Sequence, residues 1–260
     1  MHIQIELTTI CNYGCFYCAG RDMEQRDIDM ALFDQILHQR LPPGRHRVSL
    51  QGEGEPTMHP KFWEMVQAVA ALGHTPYTIT NGSRMKPDKV AQYFPRIGIS
   101  IDTIDPDEAE RIKRHNVAKV LRNLEALLEI YEPWRVVVHT VDYGQPLDAL
   151  REYLARLKIN KHVVQGLQVK DDYAKRYPGQ LPVTFHKLKY NCAYIDQPVM
   201  RFFNIDGVEM PCCYIKDASK FTSIEDIRDS LQRKVVPSAC VGCNELHENE
   251  TSRSGVFQIM

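Results

Sequence analysis

Apolar residues in this chain fall into short blocks that alternate between two spacings. Runs rich in β-branched residues at Ile3–Leu7, Val48–Gln51, Tyr77–Thr80, Ile97–Ile101, Arg135–Val141 and Val163–Val169 each predict a strand. Helical spacing fills the gaps between them. Asp29–Arg40 carries Leu32, Phe33, Ile36 and Leu37 on one face, and Lys61–Leu72 carries Phe62, Met65, Val66, Val69 and Ala70, with Gly73 as its stop. Further helices are predicted near Lys89–Tyr93 and over Pro106–Arg114, Val117–Tyr131 and Leu147–Leu157. Six strands joined by helical crossovers predict an α/β fold: a parallel sheet with right-handed connections, open or closed as a partial barrel. The short apolar runs suit strands buried on both faces.

The pattern changes near Lys170. Asp171–Lys187 carries Pro178, Gly179 and Pro182 and reads as a surface connector. Beyond it, Met200–Ile205 and Val208–Met210 read as a hairpin turning at Asp206-Gly207. Ser223-Ile-Glu-Asp226 reads as a capping box opening a short helix through about Gln232. The expected division is a barrel over residues 1–170, a connector over 171–186 and a small unit over 187–260. So few large apolar groups in that last stretch would not fold well alone, so a metal staple is expected there. No internal repeat or low-complexity segment interrupts the chain.

Of 260 residues, 43% are hydrophobic and 25% charged, as in an ordinary globular protein with one large domain and a small appendage. A net charge of −1 offers no basic field for nucleic acid or an anionic membrane surface. No apolar run approaches the roughly 18 residues a transmembrane helix needs. The first strand pattern begins almost at once, leaving no room for a signal peptide. Eight cysteines in such a chain point to metal or redox chemistry rather than a disulfide framework.

Those cysteines have informative spacing. Cys11-Asn-Tyr-Gly-Cys15-Phe-Tyr-Cys18 puts three thiols on one loop just after the first strand. Three thiolates can hold three irons of a cubane and leave the fourth open, whereas an ordinary ferredoxin cluster is closed by a fourth Cys, and none lies nearby. Half of a zinc site is the alternative, but zinc takes four ligands, usually as paired C-x2-C units. Gln51-Gly52-Glu53-Gly54-Glu55-Pro56 ends the second strand. C-terminal strand ends carry the chemistry of parallel barrels, and glycine lets backbone approach a ligand closely, although the segment is also simply a tight, charged turn. Thr80-Asn81-Gly82 and Ser100-Ile101-Asp102 end the third and fourth strands and, by themselves, are ordinary strand-end turns. Cys192, Gly207, Cys212, Cys240 and Cys243 follow C-x14-G-x4-C and then C-x2-C, a spacing open to a four-thiolate zinc site and to a cubane alike. Cys213 is left over, as a buried thiol, or else as a hydrogen-atom donor or an alternative ligand. His139, Asp142, Tyr143, Lys170 and Asp171 follow the fifth and sixth strands and are placed for the barrel mouth, with nothing to select among them; His38, His46 and His186 carry no chemical signal.

The C-x3-C-x2-C loop, with aromatic Tyr17 just before its third Cys, resembles the cluster loop of radical SAM (S-adenosylmethionine) enzymes. Gly54-Glu55-Pro56 matches that family's Gly-Gly-Glu-Pro loop, except that Glu53 stands where the first Gly usually sits. Thr80, Asn81, Ser100 and Asp102 match segments that hydrogen-bond the SAM ribose and carboxylate; the basic set Arg111, Lys113 and Arg114 is a place for a carboxylate partner, although most of it reads as a solvated helix face. The later cysteines resemble the family's SPASM extension and its shorter twitch form. The resemblance implies a partial (β/α)6 TIM-like barrel with a small cluster-binding C-terminal extension. It implies SAM-binding contributions from Tyr17, Gly52, Gly54, Glu55, Thr80, Asn81, Ser100 and Asp102. It also implies two 4Fe–4S clusters, one on Cys11, Cys15 and Cys18 and one on Cys192, Cys212, Cys240 and Cys243. The implied chemistry is cleavage of SAM to a 5'-deoxyadenosyl radical that abstracts a substrate hydrogen, in the cytoplasm, with a flavodoxin- or ferredoxin-type electron donor. The whole-chain layout resembles the twitch-type dehydrogenases of aminocyclitol antibiotic biosynthesis. The leading expectation is therefore oxidation of a small metabolite, with the auxiliary cluster as electron acceptor. Peptide modification by thioether formation or epimerisation is the alternative, as is small-molecule epimerisation with Cys213 as hydrogen donor. A non-catalytic zinc-and-iron scaffold or electron carrier is the reading from outside enzymology.

Overall fold

A computed structural model describes residues 1–177, 185–196 and 200–249. The strands are β1 (His2–Ile5), β2 (Arg47–Leu50), β3 (Thr75–Tyr77), β4 (Ile79–Thr80), β5 (Ile97–Ser100), β6 (Val136–Asp142), β7 (His162–Gly166), β8 (Phe185–Leu188), β9 (Met200–Phe203), β10 (Glu209–Met210) and β11 (His247–Asn249). They form sheets ordered β10-β9-β1-β2-β3 and β4-β5-β6-β7, with β8 and β11 pairing separately. Every pairing among β1 to β7 is parallel. The helices α1 (Met30–Gln35), α2 (Phe62–Ala71), α3 (Pro87–Tyr93), α4 (Pro106–Arg111), α5 (Val117–Leu128) and α6 (Asp148–Arg156) supply the crossovers. This is the α/β partial-barrel architecture that the alternation of periods predicts.

The third predicted strand is split. Thr75 and Tyr77 face β2, so Pro76 points away and removes no ladder bond there. At Thr78 the chain changes sheets: its hydroxyl donates to the Leu50 carbonyl at 2.7 Å, while its own carbonyl accepts from Gly98 N at 2.9 Å. One threonine thus stitches the two sheets into a continuous wall. Ile3, Ile5, Val48, Leu50, Ile97, Ile99, Val136 and Val138 point outward into the core shared with the helices. Asp29 caps α1 by accepting from Ala31 N and Leu32 N, and Asp105 caps α4 in the same way.

The last barrel strand lies earlier than predicted. Leu167–Val169 leave the sheet because their polar groups serve the C-terminal region: Asn244 N donates to Gln168 Oε1 at 3.1 Å, and Asn244 Nδ2 to the Leu167 carbonyl at 3.0 Å. The predicted connector contains α7 (Asp171–Ala174) and β8, while residues 178–184 lie outside the described ones. The hairpin forms as expected, with Gly207 at φ +69°. Its first strand also pairs in parallel with β1, extending the barrel wall. Ser223 caps α8 (Ile224–Gln232) by accepting from Asp226 N. A second apolar cluster, built around Cys192, Ile195, Phe202, Cys212, Ile227 and Leu231, fills this region beside the main core.

Candidate radical site

The three-cysteine loop leaves the tip of β1 and is stitched to the tips of the neighbouring strands. Gly54 N donates to the Thr8 carbonyl at 3.1 Å and Glu55 N to the Ile10 carbonyl at 2.9 Å. The loop presses so closely on Gly54 that a Cβ there would stand 2.4 Å from Thr8 O and 2.5 Å from Ile10 O. Gly54 therefore makes room for the cysteine loop itself, whereas the sequence pattern suggested room for a ligand. Gly52 is packed in the same way against the Glu6 side chain.

Glu55 is buried, and its carboxylate is fully engaged within the chain. Oε1 accepts from Thr57 Oγ1 and Thr80 Oγ1, each at 2.6 Å, and Oε2 accepts from Asn81 N at 2.6 Å. It locks the Thr80-Asn81-Gly82 turn to the tip of β2. Asn81 then reaches the cysteine loop, with Nδ2 3.0 Å from Asn12 Oδ1 and 3.9 Å from Cys11 Sγ, while Asn12 donates to Ser83 Oγ at 3.0 Å. Tyr17 and Asp102, expected separately at the cofactor, bond to each other. Asp102 also pairs with Arg114 and accepts from Val141 N at 2.7 Å. Of the basic trio, only Arg114 is in the interior: it donates to the Ser100 carbonyl at 3.0 Å and stands over Tyr13. Arg111 pairs with Glu108 on the surface, and Lys113 offers its carbonyl to Gly14 N. Asn81, Ser100, Asp102 and Arg114 line one cavity together with Tyr13 and Val117.

The donor set fits an iron–sulfur cluster. Burial pushes all three loop thiols up, Cys18 to about 11, and each is raised further by another of the three. Without metal they hold protons that binding would release. Tyr13 N points at Cys11 Sγ from 3.4 Å. The C-terminal set repeats this arrangement, with the backbone N–H of Tyr194, Tyr214 and Glu245 directed at Cys192, Cys212 and Cys243. Cys192, Cys212, Cys240 and Cys243 line a single cavity, and burial pushes Cys192 to about 12 and Cys240 to about 11. Among the described residues no three His, Cys, Asp or Glu side chains converge as tightly as ligands of one ion. In a cubane each thiolate takes a different iron, so its ligands stand farther apart.

Cys213 does not line that cavity. Burial pushes its thiol up to about 12, and it stands among Lys216, Glu53 and Cys212. Of the barrel-mouth candidates, Lys170 lines the C-terminal cavity, with only 4% of its surface exposed. Tyr143 stacks on Tyr17 at 5.9 Å, Asp142 is exposed, and the Asp171 side chain lies outside the described residues. His139 is held inside by Tyr77, and burial followed by the nearby His162 lowers its pKa to about 4. Sequence reasoning missed Glu6, Asn12, Ser83, Tyr173 and Lys216. Asn12 lies inside the cysteine motif and Ser83 directly follows Thr80-Asn81-Gly82, so both were within reach of pattern reading, whereas nothing local marks the others.

A sequence model described as the radical SAM superfamily matches residues 5–157. The chain is 27% identical over 226 residues to the tungsten-containing aldehyde ferredoxin oxidoreductase cofactor-modifying protein of Pyrococcus furiosus, covering 76% of this chain and 62% of that one. It is 33% identical over 125 residues to the GTP 3',8-cyclase of Microcystis aeruginosa, covering 43% of this chain and 37% of that one. The chain thus spans less than two thirds of the length of either relative. The fold is similar to that of Streptococcus suis SuiB bound to S-adenosylmethionine, with a TM-score of 0.68, 15% identity and coverage of 94% of this chain and 71% of that one.

Proposed function

Because the chain belongs to the radical SAM superfamily, we propose that it is an enzyme that dehydrogenates a small metabolite by SAM-derived radical chemistry, in the cytoplasm. The observation that carries the radical reading is the Asn81–Asn12–Ser83 network, which ties the cysteine loop to the strand tips around the Asn81/Ser100 cavity. In this reading Cys11, Cys15 and Cys18 hold one 4Fe–4S cluster, and Cys192, Cys212, Cys240 and Cys243 hold a second in a twitch-like unit over residues 187–260. When bound, the first cluster would supply an electron, drawn from a flavodoxin- or ferredoxin-type donor, for cleavage of SAM to methionine and a 5'-deoxyadenosyl radical that takes a substrate hydrogen atom, and the second would take up the electron, with solvent taking the proton, that the substrate radical then gives up.

The chain's own residues hold and enclose. Asn81 and Ser100 line the small cavity beside the proposed SAM site, while Glu55, Tyr17 and Asp102 keep its wall in place through the bonds described above. Phe16 and Tyr17 of the loop and Tyr143 after β6 pack against one another. A small-molecule substrate is supported by the names of the relatives, a GTP 3',8-cyclase and a cofactor-modifying protein.

Anaerobic reconstitution tests the reading. About eight irons per chain are expected, with SAM cleaved to 5'-deoxyadenosine. Replacing Cys11, Cys15 and Cys18 with Ala should remove half the iron and all SAM cleavage. Four irons and one zinc would overturn the auxiliary acceptor, and with it dehydrogenation by this route.

A further inference from the structure

Glu53 departs from the glycine expected at its position, and its surroundings give the departure a purpose. Its backbone N donates to Glu6 Oε1 at 2.8 Å, and Oε2 accepts from Gly20 N at 3.0 Å. Cys18 Sγ lies 3.7 Å from the Glu53 carbonyl and 3.8 Å from Oε2. The loop lies so close on this residue that a Cβ at Gly20 would stand 2.5 Å from Glu53 Cβ. The other carboxylate oxygen, Oε1, is ion-paired with Lys216, whose side chain is 11% exposed against 15% for Glu53. Lys216 Nζ also donates to the Cys213 carbonyl at 2.5 Å and lies 5.4 Å from the Tyr173 ring centre, while Tyr173 OH donates to Glu53 Oε1 at 3.4 Å.

A carboxylate beside a cysteine sulfur is an unfavourable neighbour once that sulfur is a thiolate, unless a cation compensates it. The barrel supplies no such cation to Oε1; the ammonium arrives from the segment that also carries Cys212 and Cys213. Arg21 is the other cation at Glu53, and it reaches only the carbonyl, at 3.2 Å.

We propose that Lys216 is a positioning residue for the three-cysteine loop: it compensates Glu53, and Glu53 in turn clamps the loop at Gly20 beside Cys18. Resting on the reading of that loop as the SAM-cluster site, the placement of the first cluster then depends on a side chain from the auxiliary region. The half-buried chain of contacts Cys18–Glu53–Lys216–Cys213 makes the two cysteine sites one mechanical unit.

Two measurements on the full chain test this in Lys216→Met and in the double variant Glu53→Gln/Lys216→Met. In the metal-free protein, alkylation of Cys18 by iodoacetamide is followed by mass spectrometry, with Cys240 as internal control. Per thiolate, taken from the pH dependence of the rate because the bare Glu53 carboxylate itself lowers the thiolate fraction, Lys216→Met should speed Cys18 alkylation at least about tenfold, with Cys240 unchanged. The double variant, whose neutral amide can still accept from Gly20 N, should return to within about threefold of wild type. In the reconstituted protein, Lys216→Met should weaken SAM binding about tenfold and alter the SAM-induced change in the reduced-cluster resonance spectrum, and the double variant should restore both. Wild-type alkylation rates in Lys216→Met overturn the proposal. So does a double variant as reactive as the single, since a merely structural lysine would not be rescued by removing the acid. A wild-type protein that shows no SAM-dependent spectrum at all overturns the cluster reading instead, and the alkylation measurement still decides the clamp.

Discussion

Arg114→Leu is the sharpest single perturbation of the wall around the Asn81/Ser100 cavity. Arg114 and Asp102 are 12% and 1% exposed at the side chain, and Asp102 keeps only Tyr17 OH and Val141 N once the guanidinium is gone. Leaving one partner of a buried pair uncompensated costs about 3–5 kcal/mol. The lost bond to the Ser100 carbonyl adds about 1 kcal/mol, and the contact over the Tyr13 ring, at 5.7 Å, adds about 0.5 kcal/mol. A loss of about 5 kcal/mol is therefore expected in urea unfolding of the metal-free chain, followed by circular dichroism. At about 2–4 °C per kcal/mol for a chain of this size, the midpoint temperature should drop by about 10–20 °C. Asp102→Asn/Arg114→Leu should be milder than the sum of its single variants by at least about 2 kcal/mol, because the carboxamide keeps its hydrogen bonds without a stranded charge. A loss under about 1 kcal/mol in Arg114→Leu, or strict additivity in the double variant, would refute the claim that this pair carries the wall.

Gly54→Ala should lower iron content together with SAM affinity, because its Cβ meets the cysteine-loop backbone at 2.4 Å; full iron loading with weak SAM binding would mean that the residue faces the ligand after all. His139, lowered from 6.5 to about 4, binds fewer protons folded than unfolded across that window, so its contribution falls as pH drops from 6.5 toward 4. Between pH 7 and pH 4.5 wild type should lose about 2.5 kcal/mol more than His139→Gln in matched urea titrations, and equal losses would remove His139 as the cause. Cys213→Ala should keep most product formation, whereas Cys240→Ala should abolish product while some SAM cleavage persists. Deoxyadenosine without product in Cys213→Ala, with solvent deuterium in the wild-type product, would replace dehydrogenation by epimerisation.

What the sequence made legible follows the range of each interaction. Strand periodicity and the cysteine spacing are set by near neighbours, so β1, β2, β5 and β6 and the loop from Cys11 to Cys18 were readable directly. The break at Thr78 was not, because it depends on carbonyl and amide groups of Leu50 and Gly98 that only the assembled wall brings together. Tyr17 and Asp102 were each picked out as ligand contacts, yet their mutual bond spans distant segments and carries no local mark. Leu167–Val169 look like strand and would extend β7, but Asn244 claims their polar groups, so tertiary context overrides propensity there. Glu53 was visible only as a mismatch; its meaning required Lys216.

The same contacts bear on whether the barrel is complete without the C-terminal region. Glu6 and Glu53 sit just past the tips of β1 and β2; Glu6 is buried and Glu53 half-buried. One Glu6 oxygen is occupied by Glu53 N within the barrel, but the other accepts from Ile205 N at 3.2 Å, just past the end of β9. Burial pushes the Glu6 carboxyl up, with the Lys216 charge as the largest opposing influence. Glu53 depends on Lys216 in turn. β9 itself lies along β1, covering an edge that would otherwise expose unpaired backbone. Two acids and one strand edge at the radical site are therefore satisfied by residues 200–216, and the unit that builds the proposed chemistry extends through the hairpin and past Cys212.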